Sequence, residues 1–397
     1  MSVTLRCRVC ETVSNGPSAS CHRCDGPTDL VYDWPHIAGR VTRSSIAGGP
    51  ASLWRYDAML PGGARVDYGA GWTPLVRADG LSELLCVDLH LKLEGQNPTG
   101  SYKDRMATIA ASTALVHGVT TLCCSSTGNL GHAVAAAAAA SGLEAIVLVP
   151  AGYGAESVAA GHPGARVFAV DGTYDDCRRL ELELGSLFPW GFVSGNLHPY
   201  AAEGARTVSF EIAEQLGWEL PDAVFCPAAS GVLFAKLTQA FVELTHAGLA
   251  AEPVPRMYAA QAQGSSPIAA AFADDRGVSA VRAATGIASL AVGDPSFGDL
   301  AVGAARATGG TVVAVDEERI AHTTSLFAET TGIASDCATG AALGALVQAL
   351  DAGDVAPGAR VVLVVTGAEP EPVTGTSAVT TVAADAGHVL VALGLDS

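Results

Sequence analysis

Positive charge is scarce in this 397-residue chain: 22 lysines and arginines stand against 40 acidic residues, a formal net charge of −18. Nucleic acids and anionic lipid surfaces are held by basic faces, so neither is an expected partner. A small anionic ligand stays open, because local arginines and helix N-termini can hold one in an acidic protein. Long apolar runs are lacking too. The most hydrophobic stretch, His132–Pro150, is broken by Ser141-Gly142 and Glu144, which predicts a buried helix followed by a strand rather than a membrane span. Met1–Arg8 has no apolar core of the kind a secretory leader carries. Ten cysteines without such a leader predict a reducing compartment, the cytoplasm, and metal binding over disulfides. Charged residues are only 16% and apolar ones 49%, which excludes a disordered chain and, at this length, predicts two or three globular domains.

Lysine is the rarest cation: Lys92, Lys103 and Lys236 are the only three. Lys103 lies in Glu94-Gly95-Gln96-Asn97-Pro98-Thr99-Gly100-Ser101-Tyr102-Lys103-Asp104-Arg105. Leu91–Glu94 alternates like a strand, Asn97–Gly100 turns, and a helix is predicted from about Ser101, with Ser101 and Asp104 at its N-terminus. Lys103 therefore falls at the mouth of a strand–turn–helix, where α/β folds bind ligands. An amine there can be deprotonated or form a Schiff base, and a guanidinium cannot.

From Asp104 onward strands alternate with helices, which predicts parallel sheets. Ser125-Ser126-Thr127-Gly128-Asn129 must turn from strand to helix, so its amides and hydroxyls gather at a helix N-terminus, a ready carboxylate site. Pro227-Ala228-Ala229-Ser230-Gly231-Val232-Leu233 makes a second such turn, and Thr366-Gly367 closes a buried strand over Arg360–Val365. Near the N-terminus, Cys7-x-x-Cys10 and Cys21-x-x-Cys24 have the spacing of a closed four-thiolate site, in which zinc would be structural. His22 is read as a bystander, and Cys123 and Cys124 as buried apolar residues.

The Glu94–Arg105 run resembles the segment around the cofactor lysine of threonine synthases and related pyridoxal-phosphate (PLP) enzymes of the tryptophan-synthase-β fold type. The N-terminal ribbon, Leu53–Tyr56 and Gly71–Leu75 are similar to archaeal-type threonine synthases. The resemblance implies a fold-type II PLP enzyme, α/β, with two parallel-sheet domains behind a zinc-ribbon-like module. The boundaries expected are 1–40 for the ribbon, 41–104 and 191–369 for the large PLP domain, and 105–190 for a small mobile domain. Residues 370–397 are expected to form a linker and a loosely specified tail. Lys103 would carry the cofactor as a Schiff base and serve as the base. Asn129 would bond the ring hydroxyl, Ala229-Ser230-Gly231-Val232 the cofactor phosphate, and Thr366 the pyridine nitrogen. Ser126, Thr127 and Gly128 would grip the carboxylate of an amino-acid substrate. The implied reaction is carbon–oxygen lyase chemistry turning O-phosphohomoserine and water into threonine and phosphate, in a homodimer.

Two departures weaken the implied substrate. Arg206 stands where the family has lysine in Glu-Gly-x-Lys-Thr, and Ala201 where it has an arginine associated with the substrate phosphate. The turn at 227–233 also has alanine or valine where glycines are common. These favour a rival: a relative that eliminates or replaces a β- or γ-substituent on another amino acid. A rival of another class is a non-catalytic protein that binds partners through its ribbon.

Overall fold

Three sheets organise the chain in the computed structural model, which describes residues 3–14, 16–126, 128–368 and 379–395. The first is a ribbon, in which β1 (Val3–Cys7) pairs antiparallel with β2 (Val13–Ser14) and β3 (Thr28–Tyr32). Next come β4 (Leu75–Arg77) and β5 (Asp88–Leu93), which belong to the larger sheet. The chain then leaves to build the smaller sheet from β6 (Thr121–Ser125), β7 (Glu144–Pro150), β8 (Arg166–Asp171) and β9 (Gly191–Phe192). It returns through β10 (Ala223–Pro227), β11 (Arg256–Ala262), β12 (Thr311–Val315) and β13 (Arg360–Val365). The larger sheet runs β12-β11-β10-β13-β5-β4, parallel except for β4. Strands such as Ile146–Val149 and Val361–Val365 are buried throughout, as parallel strands covered on both faces must be. Among the described residues no helix is long and apolar enough to cross a membrane.

The C-terminal expectation needs correction. Residues 379–395 are not a loose tail: β14 (Thr380–Ala383) pairs in parallel with β8 at the edge of the smaller sheet, in the order β14-β8-β7-β6-β9. The helix Ala386–Leu393 then buries Val389 and Leu393 among Phe168, Val170 and Leu180. A four-residue strand gives little periodic signal of its own. Its partner, β8, lies some two hundred residues upstream, so only tertiary contact decides its state. Residues 369–378 lie outside the described residues.

A second difference concerns Glu203-Gly204-Ala205-Arg206-Thr207. The sequence predicts a helix over Val208–Leu216, yet the helix spans His198–Gln215 and carries the whole motif in its buried interior. Gly204 looks like a helix breaker but is the crossing point with the helix Lys103–Val116: a Cβ there would lie 2.2 Å from the Arg105 carbonyl oxygen. Gly204→Ala is expected to force the two helices apart and to lower stability by about 3 kcal/mol, read from denaturant midpoints. An unchanged midpoint would mean the crossing has slack.

Arg206 docks the ribbon. Its guanidinium donates to Glu203 Oε2 (2.7 Å) and to Glu243, and it packs on Tyr32 and Trp34. Lys236 completes this buried group through Glu203 (2.7 Å) and Asp29 of β3 (2.8 Å).

Candidate active site

The segment that carries Lys103 is clipped at both ends. Glu94 and Arg105 form a bidentate pair, Nε to Oε2 at 2.6 Å and Nη2 to Oε1 at 2.7 Å, with both side chains fully buried. Between them, Asn97 Nδ2 donates to the Glu94 carbonyl (2.8 Å), and Asp104 accepts from the Thr99 amide (2.7 Å) and the Tyr68 hydroxyl (3.0 Å). Asp104 therefore closes the turn and supplies the acidic residue of the helix's first turn; Tyr102 takes the N-cap position without a side-chain bond, and Ser101 Oγ accepts from the Lys103 amide at 3.4 Å. The loop is stitched to the end of β13: the Tyr102 amide donates to Thr366 O (3.1 Å) and the Ala368 amide to Gly100 O (2.9 Å). Lys103 thus opens its helix beside Thr366, with its ammonium 4.6 Å from the Tyr102 ring centre. Burial works against its charge, but the Tyr102 phenol outweighs it and holds the amine above the ordinary lysine value.

Four further elements face the same cleft. At the end of β6, the buried Glu181 carboxylate accepts from the Ser125 amide (2.9 Å), the Ser125 hydroxyl (2.6 Å) and the Ser194 amide (3.0 Å), which fixes where the following turn begins. Ser126 and Asn129 line the cleft. Ser126 Oγ accepts from the Gly128 and Gly131 amides (3.0 and 2.8 Å), and the Ser126 amide donates to Leu148 O. Of the three residues expected to hold a carboxylate, Ser126 therefore offers only its hydroxyl hydrogen, Gly128 uses its amide within the turn, and Thr127 lies outside the described residues. The helix Asn129–Ser141 starts here, and its first-turn amides have no intrahelical acceptor.

The turn after β10 brings Ala229, Ser230, Gly231 and Val232 to the cleft, at the start of the helix Val232–His246. The missing glycines do not distort it. Gly231 alone in this turn has a positive φ, +83°, and a Cβ there would meet the Phe297 carbonyl at 2.9 Å. Alanine serves at 228 and 229 because neither adopts a left-handed backbone.

Thr366 lines the cleft from the end of β13. Asp336 lines it too, and the sequence reading passed over it. Asp336 caps the helix Cys337–Asp351, with Oδ1 accepting from the Thr339 amide (3.2 Å). Its other oxygen faces Gly367, where a Cβ would sit 3.3 Å from Asp336 Oδ2 and 3.5 Å from Asn129 Nδ2. The Asp-x-x-Thr spacing before a small-residue helix was the available signal, though it announces a cap and not a cleft. Burial pushes the Asp336 carboxyl up to about 6 from 3.8. A raised carboxyl pKa makes the charged form costly in the folded state. That cost is absent below about pH 4 and complete above about pH 6. Asp336→Asn is accordingly expected to stabilise the cofactor-free protein at pH 8 by roughly 2 kcal/mol, and scarcely at pH 4. Equal effects at the two pH values would refute this.

Two features lie off the cleft. Ala201 is fully buried in the apolar cluster with Val66, Met106 and Leu197, and does not line the cleft. The sulfurs of Cys7, Cys10, Cys21 and Cys24 all lie within 4.8 Å of one another. The shorter separations are 3.3 Å for Cys10–Cys24, 3.5 Å for Cys7–Cys24 and 3.6 Å for Cys10–Cys21, somewhat inside the ~3.8 Å edge of a tetrahedral zinc–thiolate shell. Amides of Val9 and Cys10 point at Cys7 Sγ, and that of Arg23 at Cys21 Sγ, as they would toward thiolates.

Comparison with known proteins agrees with this geometry. Residues 66–367 match the family described as pyridoxal-phosphate dependent enzyme. Threonine synthase of Methanosarcina acetivorans is 32% identical over 88% of this chain and 86% of its own length. Threonine synthase of Mycobacterium tuberculosis H37Rv is 34% identical over 86% of this chain and 90% of its own. Among solved structures, a fungal L-serine ammonia-lyase from Rhizomucor miehei aligns with a TM-score of 0.63 at 26% identity, covering 75% of this chain and 93% of that one. With a fold shared with such lyases and sequence likeness spanning most of both chains, this protein belongs to the threonine synthase family of pyridoxal-phosphate-dependent enzymes and is a threonine-synthase-like lyase.

Proposed function

We propose that the cleft holds pyridoxal phosphate on Lys103 and converts O-phosphohomoserine and water into threonine and phosphate. The observation that carries this reading is the convergence of Lys103, Asn129, the turn Ala229–Val232 and Thr366 on one cleft from four separate elements. These groups fit the cofactor. The turn presents first-turn amides of the helix Val232–His246 to a phosphate, Asn129 an amide to the ring hydroxyl, and Thr366 a neutral hydroxyl to the pyridine nitrogen. When bound, the cofactor supplies an electron sink that acidifies substrate protons at Cα and Cβ.

Lys103, as a free amine, takes the proton from Cα and later moves protons at Cβ. The Ser126 hydroxyl, Thr127 and the Asn129 and Leu130 amides orient the α-carboxylate, and Glu181 fixes the start of that turn. Asp336 holds a proton beside Asn129 below about pH 6 and gives it up above that. Closure of the smaller-sheet domain over the larger keeps stray water from Cα while the Cγ–O bond breaks. The four cysteines would hold a zinc in a structural role, since four thiolates leave a tetrahedral ion no position for substrate. The working form is a homodimer, as the family resemblance implies.

Ala201 supports a second reading, elimination or replacement on another β- or γ-substituted amino acid, because no cationic side chain stands at that position. Phosphate release and threonine formation from O-phosphohomoserine test the first. Folded, PLP-loaded protein that turns over no O-phosphohomoserine would transfer the reaction to the second.

A further inference from the structure

Most arginines in this chain are either paired with a carboxylate or exposed to water. Arg8 and Arg178 are neither: both are partly buried, and no ion pair involves either among the described residues. Arg178 bonds the Tyr174 hydroxyl and feels the Glu181 and Asp294 carboxylates without a direct ion pair to either, so in a chain with a net charge of −18 both half-desolvated guanidiniums still have room to take an anion.

Their positions point to the cleft. Arg8 sits between the first two cysteines of the ribbon; its Nε is buried without an acceptor, and its guanidinium carbon lies 5.1 Å from the Phe297 ring centre. Phe297 is bound to the turn that faces the cleft, its amide donating to Ser230 O at 2.9 Å and its carbonyl lying against Gly231. His198, at the start of its helix, packs edge-on against the same ring at 5.3 Å. Arg178 follows Tyr174 by four residues on the helix Tyr174–Leu187, so it shares the face with which Tyr174 lines the cleft. The nearby Glu181 carboxylate is occupied by Ser125 and Ser194. His198 is driven down to about 3, by burial first and then by positive charge, that of Arg178 ahead of Lys103, Lys236 and Arg8.

We propose that Arg8, Arg178 and His198 form a second anion site at the mouth of the cleft, which takes the distal phosphate of the amino-acid substrate and replaces the cation absent at Ala201. The proposal rests on the reading of the cleft as a PLP site, and it gives the ribbon a part in substrate binding. Two guanidiniums offer paired donors to phosphate oxygens, and the neutral imidazole offers a third donor without adding charge. A phosphate group here could belong to substrate or to cofactor, so the test must fill the cofactor position first.

The protein is loaded with PLP, its visible absorbance is recorded, and inorganic phosphate is titrated by calorimetry. Arg8→Gln and Arg178→Gln, on two independent elements, are each expected to weaken phosphate binding tenfold or more. Each should also raise KM for O-phosphohomoserine by a similar factor, leave kcat within about threefold, and leave PLP affinity unchanged. Arg6→Gln, which removes an exposed charge from the same ribbon strand, is expected to leave phosphate binding as it was. Arg8→Lys should restore part of the affinity. Phosphate binding that neither glutamine variant weakens overturns the proposal, and so does a loss that appears in PLP affinity instead. A chain that takes up no PLP would end the parent reading, and the phosphate titration of that chain would still decide whether the anion site exists. If O-phosphohomoserine is not turned over yet phosphate binding depends on both arginines, the site stands and serves another phosphorylated amino acid.

Discussion

Replacing Lys103 with alanine is expected to lower turnover roughly 10³-fold or more, and to remove the visible absorbance of lysine-linked cofactor. No other amine can take its place. Lys92 Nζ is held by Glu211 Oε2 (2.6 Å), Thr73 O (2.7 Å) and Gln215 Oε1 (3.0 Å) in a buried network. Lys236 is held by Asp29, Glu203 and Gln239 beneath the ribbon. Lys103 alone among the lysines lines the cleft and is in no ion pair, so its loss should leave the melting temperature nearly unchanged. Lys103→Arg should be as inactive as the alanine variant, since a guanidinium keeps the charge but not the nucleophile. Visible absorbance that persists in Lys103→Ala would place the cofactor on another residue and refute the assignment.

The largest expected effect on stability comes from Glu211→Ala. Glu211 lies within the helix His198–Gln215 and receives Arg105, Lys92 and the amides of Trp72 and Thr73 (2.7 and 3.1 Å). Burial raises its carboxyl, but Arg105 and Lys92 outweigh this and hold it down to about 2. With Glu94 the network balances two cations and two carboxylates, all fully buried. Removing Glu211 leaves two cations facing one carboxylate and two amides without an acceptor. A loss of about 4 kcal/mol follows from breaking a buried pair on one side, or a fall in melting temperature of roughly 10 °C. Because Arg105 is two residues from Lys103, cofactor loading should weaken as well. Calorimetry measures the first, and PLP titration the second. A variant that melts with the wild type would show that Arg105 is held by Glu94 alone. The Glu211 contribution is present at neutral pH and is lost only as pH falls toward about 2, because its folded-state value is depressed.

The sequence by itself determined the local parts of this protein. Ile-Val-Leu-Val and Val-Val-Leu-Val-Val runs must be buried parallel strands, two Cys-x-x-Cys pairs bring their thiols to one point, and Glu94–Arg105 carries the resemblance to the cofactor-lysine segment of threonine synthases. In each case the interacting residues are neighbours in the chain, or their chemistry is carried by spacing. Gly231 also kept its meaning, since a left-handed turn admits few other residues.

Tertiary structure decided what depends on partners far along the chain. Arg105 and Glu211 meet across 106 residues, and only that meeting shows why the lysine segment ends in arginine. β14 exists because β8 offers it an edge, and Gly204 is needed where two helices cross. Asp336 reads as a helix cap until the fold sets it beside Asn129. Arg8 reads as a spacer between the ribbon's first two cysteines until the ribbon docks over Phe297. Burial and the charge left unpaired by it are properties of the assembled fold, and no local pattern of residues encodes them.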